Sequence, residues 1–364
     1  MSHPPVTFYT HTLGMGGGTR VIATLANLLS EAGYPTRVVA VHRDRKPRRE
    51  WFSEKVEIVQ LSGRTRWHRL MSLFQSLPPN EGVVFSCCEF TSLLVPWFRV
   101  LRRQRFALVI VVHVDLGQLL ESERGNRGLQ SGMRFAGSAY ARADLVAAVS
   151  GAAAAELEKR LRLPHVDVLY NPVVDPLQLR DYHPPMPQQM HDLPRPIILN
   201  AGRLHPQKDQ TTLIKAFLRL AQGSLVLLGE GPDRRELEEF VARSGASSRV
   251  WIPGNVDNPL DYMYHSDLFV LSSRYEGLPT VLIEAMGVGC AVVSTDCPSG
   301  PREILENGRY GTLVPVGDVD ALAEAMASTL SNPGDKSRLR AAANRFSYES
   351  SLAEYVSVIR KLSD

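Results

Sequence analysis

Segments with strand and helix character alternate from one end of the chain to the other, and this alternation constrains the fold more than any other feature. Short runs of Val, Ile and Leu are each followed by a longer segment in which apolar residues recur at helical spacing. Such alternation is typical of parallel sheets covered by helices on both faces, so we predict an α/β protein with doubly wound sheets. The predicted strands are residues 6–12, 36–41, 82–86, 107–112, 145–149, 167–170, 197–200, 225–228, 250–252, 268–271 and 291–294.

A proline-rich segment divides the alternation into two halves. Seven prolines lie within the 25 residues from Pro172 to Pro196, which is typical of a linker. A chain of 364 residues also has the length of two ordinary domains. We therefore predict an N-terminal domain over residues 1–175 and a C-terminal domain over residues 176–346, with a ligand cleft between them.

The composition excludes several classes of protein. No apolar run reaches the roughly 18 residues that a membrane-spanning helix needs, and the N-terminus lacks the pattern of a signal peptide. The four cysteines have no C-x-x-C spacing and are too few for a disulfide scaffold. We expect a cytoplasmic protein with reduced thiols, and the sequence assigns no role to the adjacent Cys87 and Cys88.

Positive charge is concentrated in the first half of the chain. Residues 1–180 carry 23 Lys and Arg against 15 Asp and Glu, whereas residues 181–364 carry 18 against 23. The excess lies in three basic clusters, at residues 42–49, 64–69 and 102–105. Trp67 lies within the second cluster, and Phe106 follows the third. Basic clusters with aromatic residues are typical either of contact with an anionic membrane surface or of a solvated protein surface.

A glycine-rich loop follows the first predicted strand. It runs from Leu13 to Arg20 and opens a predicted helix over residues 19–32, so backbone N–H groups are available for a ligand. Gly14 and Gly16 match the dinucleotide pattern G-x-G-x-x-G, but Thr19 breaks it. We expect a loop in close contact with a ligand.

Two cations follow the first strand of the second half. Arg203 and Lys208 lie in the segment Gly202-Arg-Leu-His-Pro-Gln-Lys208, where a parallel sheet collects ligands. Two cations at one strand end suit a diphosphate, because charge-assisted bonds to phosphate oxygens are strong. The alternative is that each cation caps a helix or pairs with a carboxylate.

Two glutamates stand eight positions apart around the start of another helix. Glu276 precedes it, Pro279 is expected in its first turn, and Glu284 lies one turn after Thr280 on the same face. Both carboxylates can reach one elongated ligand, and sugar hydroxyls are suitable hydrogen-bond donors to them.

Two further strand ends carry polar residues. Arg302 and Glu303 open a helix after Ser299-Gly-Pro, and Arg302 adds a cation near the same edge. His113 ends the apolar run 106–112 and is either a ligand-facing histidine or a satisfied core histidine.

Together these motifs resemble the retaining glycosyltransferases of family four, which have the GT-B fold. The resemblance rests on the glycine loop, on Gly202-Arg203 with Lys208, and on the E-x7-E pattern from Glu276 to Glu284. It extends over nearly the whole chain through three shorter segments: Gly229-Glu-Gly-Pro232, Trp251-Ile-Pro-Gly254 and Phe346-Ser-Tyr348.

The resemblance implies two facing Rossmann-like domains with an interdomain cleft and a C-terminal crossover helix, residues 347–364, that packs back on the first. It implies sugar transfer from a nucleotide-sugar donor, with retention of configuration and with no required metal or cofactor. The segment from Cys297 to Glu303 resembles enzymes that use a UDP-hexose or a UDP-N-acetylhexosamine. We expect front-face displacement, in which the leaving diphosphate takes the acceptor's proton, rather than a covalent carboxylate intermediate.

Site roles follow from the resemblance residue by residue. Arg203 and Lys208 would bind the donor diphosphate, Glu276 and His113 the transferred sugar, and Glu284 the ribose. The remaining expected ligand contacts are Gly16 and Gly17 at the donor–acceptor junction, Gly254 and Val256 near the base, and Gly277, Leu278, Pro279, Thr280, Arg302 and Glu303 at the phosphate or sugar. The chain departs from the family pattern at Leu278, where an aromatic residue is common, and at Asn171-Pro172 in place of Asn-Gly.

The leading hypothesis is therefore a transferase that acts on a glycan or lipid-linked acceptor, with the basic domain against an anionic membrane. A transferase with a small soluble acceptor, a GT-B sugar-nucleotide epimerase and a two-domain sugar-binding protein are the alternatives. A nucleic-acid partner would explain the basic clusters but not the two glutamates, and we expect none.

Overall fold

The computed structural model describes residues 3–14, 16–44, 46–61, 65–78, 81–113 and 135–363. These residues form two compact units. The first contains the chain up to Pro172 together with Tyr348 onward, and the second contains Val173–Ser347. Arg45 and Arg64 of the basic clusters lie outside the described residues.

The first unit is built on a seven-stranded parallel sheet. Its strand order is β3-β2-β1-β4-β5-β6-β7, and Thr10 at the end of β1 is paired with Ala40 at the end of β2. Every residue of β1 is buried, as expected for a central strand covered on both faces. The strands are β1 Val6–Thr10, β2 Thr36–Ala40, β3 Glu57–Gln60, β4 Val83–Ser86, β5 Ala107–Val112, β6 Leu145–Ala148 and β7 Asp167–Val168.

Six described α-helices belong to the first unit. They are α1 Gly17–Glu31, α2 Arg66–Ser76, α3 Glu89–Leu101, α4 Ala136–Tyr140, α5 Gly151–Leu161 and α14 Tyr348–Ser363. Helix α1 starts two residues before the predicted helix, so Gly17 belongs to the helix and Gly16 is its N-cap. Gly33 follows this helix with φ +89°, the left-handed conformation that ends many helices and favours glycine.

The second unit contains a six-stranded parallel sheet of order β10-β9-β8-β11-β12-β13. Its strands are β8 Ile197–Ala201, β9 Ser224–Leu228, β10 Val250–Gly254, β11 Leu268–Leu271, β12 Val292–Thr295 and β13 Thr312–Val314. Its helices are α6 Pro176–Arg180, α7 Gln210–Phe217, α8 Arg234–Arg243, α9 Pro259–His265, α10 Thr280–Gly287, α11 Pro301–Ile304, α12 Val319–Ser331 and α13 Lys336–Ala343. The prediction of two Rossmann-like sheets is confirmed.

The prediction missed two strands, β3 and β13. Both lie at sheet edges, and neither has a residue run that is buried throughout. A strand with one exposed edge does not need the continuous apolar run of a central strand, so its sequence signal is weak.

The proline-rich segment is not a free linker. The backbone N–H groups of Val173 and Val174 both donate to the carbonyl oxygen of Phe346, at 2.9 and 3.2 Å. Farther along, Tyr182 donates a hydrogen bond to Asp261, and Met190 is buried. These contacts tie the segment to the second unit, which contains Val173–Ser347.

Helix α14 follows the second unit in sequence but packs in the first. Tyr355 and Ile359 on this helix are fully buried, and the Tyr355 ring lies 5.3 Å from that of Phe85 on β4. The backbone N–H of Tyr170 donates to Glu354 at 3.2 Å. Among the helices that the structure describes, none combines the length and the hydropathy that crossing a bilayer requires.

Candidate functional site

The candidate site lies where the strand order of the second sheet reverses. The chain passes from β8 outward to β9 and β10 and then returns to β11 on the other side of β8. Open α/β sheets bind ligands at such a switch point, beyond the carboxyl ends of the two strands. The loops that follow β8 and β11 carry the predicted cations and Glu276, respectively.

Lys208 and Glu276 form an ion pair at this edge. Lys208 Nζ lies 2.5 Å from Glu276 Oε1, and the two side chains are only 18% and 7% exposed. The hydroxyl of Ser273 donates to the same Oε1 at 2.6 Å. The backbone carbonyl of Ser273 accepts a hydrogen bond from Thr295 Oγ1. The carboxylate of Glu276 is therefore fixed in place by two partners.

Further hydrogen bonds join the two loops. Ser272 Oγ donates to the carbonyl of Lys208 at 2.8 Å, and the Arg274 N–H donates to the carbonyl of Gln207 at 2.7 Å. Gln207 Nε2 in turn donates to the carbonyl of Tyr275 at 2.9 Å. Ser272, Ser273 and Gln207 were not predicted as site residues. Their signal in the sequence is their position directly after a strand or inside the Arg203–Lys208 segment.

Arg203 differs from Lys208 in having no counter-ion. Its side chain is exposed, and it forms no ion pair with any other residue in the described part of the chain. The backbone carbonyl of Arg203 accepts a hydrogen bond from Gln210 Nε2 at 3.1 Å, which holds the loop against α7. The edge therefore presents one uncompensated cation beside a paired one.

Helix α10 begins at Thr280, with Pro279 at the N-cap rather than in the first turn. Leu278 is buried and Glu284 is half-buried, one turn into the helix. Gly300 has φ +86°, and a Cβ atom there would lie 2.5 Å from Pro279 Cδ. Glycine at position 300 thus allows the loop after β12 to pack against the start of α10, beside Gly277.

The charge of Arg302 is offset within its own loop. Its Nε donates to Asp296 at 3.0 Å, and a second bond joins the same two side chains. Glu303 follows it on α11, which has only four residues. Arg302 therefore lies beyond the end of β12, and its positive charge is paired with the carboxylate of Asp296. It is not a second uncompensated cation.

The residues predicted near the base lie at the end of β10. Gly254 has φ +89°, its carbonyl accepts from the Gly229 N–H at 2.8 Å, and a Cβ at this position would lie 2.5 Å from Glu230 Oε1. Val256 follows, half-buried. The loop after β9 therefore borders this stretch, and Glu230 in that loop was not predicted as a site residue.

In the first unit, the predicted residues lie beyond the carboxyl ends of β1 and β5. Gly16 and Gly17 are exposed at the start of α1, and a Cβ at Gly16 would meet no atom within 4 Å. His113 follows β5, and its Nε2 is buried with no hydrogen-bond partner among the residues described. Burial lowers the pKa of His113 to about 4, so the imidazole is neutral at pH 7.

The described residues contain neither a metal-binding cluster nor a disulfide. No group of three His, Cys, Asp or Glu side chains in the described ranges is placed to hold a metal ion. All four cysteines are free thiols, and burial raises the pKa of Cys290 and Cys297 to about 12.

Comparisons with known proteins match both halves of the chain. Residues 15–175 match the family model "Glycosyltransferase Family 4", and residues 195–332 match "Glycosyl transferases group 1". Over 134 residues, the chain is 36% identical to a Campylobacter jejuni N-acetylgalactosaminyltransferase that acts on a diphospho-undecaprenol-linked sugar, with 36% of this chain and 37% of that protein covered. It is 33% identical over 144 residues to LpsE of Rhizobium meliloti, a lipopolysaccharide core biosynthesis glycosyltransferase, with 40% and 42% covered.

These matches span less than half the length of either curated relative. The fold is similar over a much longer range. The structure of Anabaena HepE in complex with UDP superposes with a TM-score of 0.81 at 20% identity, covering 98% of this chain and all of that one.

Proposed function

The chain belongs to the family 4 and group 1 glycosyltransferases, and from this membership we propose that it transfers a sugar from a nucleotide-sugar to a hydroxyl group of a glycan or lipid-linked acceptor. The GT-B fold predicted from the sequence is confirmed by the likeness to HepE. The donor that we propose is a UDP-hexose or a UDP-N-acetylhexosamine. Support for uridine comes from the structural neighbour, which was solved with UDP.

The observation that carries the proposal is the pairing at the edge between β8 and β11. A donor diphosphate needs cations to offset its charge, and Arg203 has no counter-ion among the described residues. Lys208 is held in place by Glu276 at 2.5 Å and needs little reorganisation to meet a phosphate oxygen. Cations fixed before the reaction stabilise the negative charge that develops on the leaving diphosphate.

The two glutamates have separate roles in this proposal. Glu276 orients Lys208 and accepts hydrogen bonds from the hydroxyls of the transferred sugar, while Glu284 binds the ribose from the first turns of α10. The backbone of Leu278 to Thr280 at the start of α10 contacts phosphate or sugar. Arg302 and Glu303 support this edge, and Gly254 and Val256 meet the base.

Transfer proceeds with retention by front-face displacement. Glu276 is engaged with both Lys208 and Ser273, which is unsuited to a carboxylate that attacks the anomeric carbon. The leaving diphosphate takes the proton of the acceptor hydroxyl. His113, which is neutral at pH 7, forms hydrogen bonds with the sugar and adds no charge to the site. Gly16 and Gly17 leave room for the acceptor.

The first test is nucleotide release from a panel of UDP-, GDP-, ADP- and dTDP-sugars, with and without EDTA. We expect slow hydrolysis of one UDP-sugar, and a rate that EDTA changes by less than about twofold, because the cations Arg203 and Lys208 take the place of a metal. Failure to bind or hydrolyse any donor would contradict the transferase proposal. Conversion of a donor to its isomer without an acceptor would favour the epimerase.

We further propose that the first unit contacts an anionic membrane at the cytoplasmic face. Helix α3 ends in Val100 and Leu101, whose side chains are 56% and 72% exposed, and exposed Arg102, Arg103 and Arg105 follow directly. Apolar side chains that enter the acyl boundary beside arginines that meet lipid phosphates are typical of interfacial binding.

Replacing Leu101 with aspartate should weaken binding to vesicles that contain phosphatidylglycerol by about tenfold. The change removes apolar area that enters the membrane in this proposal, and it adds a negative charge that the anionic lipids repel. Cosedimentation at low salt measures this. Leu177→Asp is the matched control, since Leu177 is 77% exposed but belongs to the second unit. Equal losses in both variants, or no retention of the unmodified protein, would contradict the membrane proposal.

A further inference from the structure

A cluster of three basic side chains lies at the carboxyl edge of the first sheet. His11 comes directly after β1, and His42 comes two residues after β2. The backbone N–H of His42 donates to the carbonyl of His11 at 2.9 Å, and the two imidazole rings lie 4.4 Å apart. This is the edge at which the glycine loop also begins, so the cluster lies where a sheet of this kind binds ligands.

The third member of the cluster is Arg69, on α2. Its Nη1 donates to His42 Nδ1 at 3.0 Å, which requires a lone pair on that nitrogen and therefore leaves the imidazole proton on Nε2. Arg69 and His42 are half-buried, while His11 is exposed. The cluster therefore holds several N–H donors at a site that a solute can reach.

No carboxylate offsets the positive charge of Arg69 within the described residues. His11, His42 and Arg69 form no ion pair there, and burial, His11 and Arg69 together lower the pKa of His42. The neighbouring acid, Asp44, lies against the glycine loop, where a Cβ atom at Gly14 would lie 2.7 Å from its Oδ2, and this oxygen forms no hydrogen bond or ion pair with the cluster. A half-buried guanidinium without a counter-ion is less favourable than one that is paired with an anion.

We propose that His11, His42 and Arg69 bind a phosphate group of the acceptor. A phosphate accepts charge-assisted hydrogen bonds from several directions, which suits one guanidinium and two imidazoles. The proposal rests on the proposed function, in which the donor diphosphate is bound by Arg203 and Lys208 of the other unit. The acceptor class that it implies is a phosphate- or diphosphate-linked glycan.

The test is a titration of isotopically labelled protein with inorganic pyrophosphate, followed by the imidazole resonances in NMR spectra. The signals of His11 and His42, assigned with His11→Asn and His42→Asn variants, should shift, because a phosphate that accepts hydrogen bonds from their N–H groups changes the surroundings of both rings. Arg69→Gln should weaken pyrophosphate binding about tenfold, as expected for loss of a charge-assisted bond. Arg360→Gln is the control, because Arg360 is exposed on α14 and should leave binding unchanged.

Two other ligands distinguish the source of the phosphate. If UDP shifts the same two histidines at the concentration that fills the donor site, the cluster belongs to the donor and the proposal is wrong. If phosphatidylglycerol vesicles shift them while soluble pyrophosphate does not, the ligand is a lipid headgroup and the proposal is again overturned. Because these titrations need no turnover, their failure is distinguishable from failure of donor hydrolysis, which would overturn the proposed function instead.

Discussion

Replacing Arg203 with alanine should lower nucleotide release from the preferred donor by about two to three orders of magnitude, the loss seen when one fixed donor to a developing negative charge is removed. Arg203 is exposed and has no ion pair among the described residues, so its removal costs no packing and leaves no buried charge. The melting temperature should therefore stay unchanged. Steady-state release of the nucleotide and thermal denaturation, measured on the same samples, check both statements.

Two variants sharpen this prediction. Arg235→Ala is the matched control, because Arg235 is 90% exposed on α8 and pairs with the surface residue Glu239. It should keep full activity. Arg203→Lys should recover part of the rate, since an ammonium keeps the charge but loses the two-pronged contact with phosphate. Full activity in Arg203→Ala would show that Arg203 does not bind the donor diphosphate.

The sheet edge that carries the proposed donor site could be predicted from the sequence. β8 and β11 are buried apolar runs, and the polar loops after them carry Arg203, Lys208 and Glu276. Their contact could not be predicted, because Lys208 and Glu276 are 68 positions apart and meet only if β8 and β11 are neighbours in the sheet. Strand order depends on how the helices pack, so it cannot be predicted from a local pattern of apolar residues in the sequence.

The first unit gives a similar contrast. The basic clusters 42–49 and 64–69 were recognised by composition alone, as a surface of either lipid-binding or solvated character. The structure brings His42 of one and Arg69 of the other within 3.0 Å, and adds His11 from the end of β1. Each residue alone is an ordinary surface cation or histidine, so their contact is visible only in three dimensions.

Replacing Lys208 with methionine should destabilise the second unit by about 3–5 kcal/mol, because it leaves the carboxylate of Glu276 buried without its cation. That side chain is 7% exposed, and Ser273 is its other hydrogen-bond donor. Urea denaturation measures the change. Trp251 is the single tryptophan of the second unit, so its fluorescence, in a background where the other three are phenylalanine, reports on this unit.

Adding Glu276→Gln to Lys208→Met should restore most of the lost stability, since a neutral amide tolerates burial better than an unpaired carboxylate. It should not restore nucleotide release, because the cation at the diphosphate is still missing. Arg235→Ala should change stability by less than about 0.5 kcal/mol, as is usual for an exposed pair. Recovery of both stability and activity in the double variant would mean that Lys208 only neutralises Glu276. Glu276→Gln alone is the reference for activity, because Glu276 is itself proposed to contact the sugar. Recovery of stability, with nucleotide release lower than in Glu276→Gln alone, separates the two roles of Lys208: it stabilises Glu276 in the folded protein, and it assists the reaction of the donor.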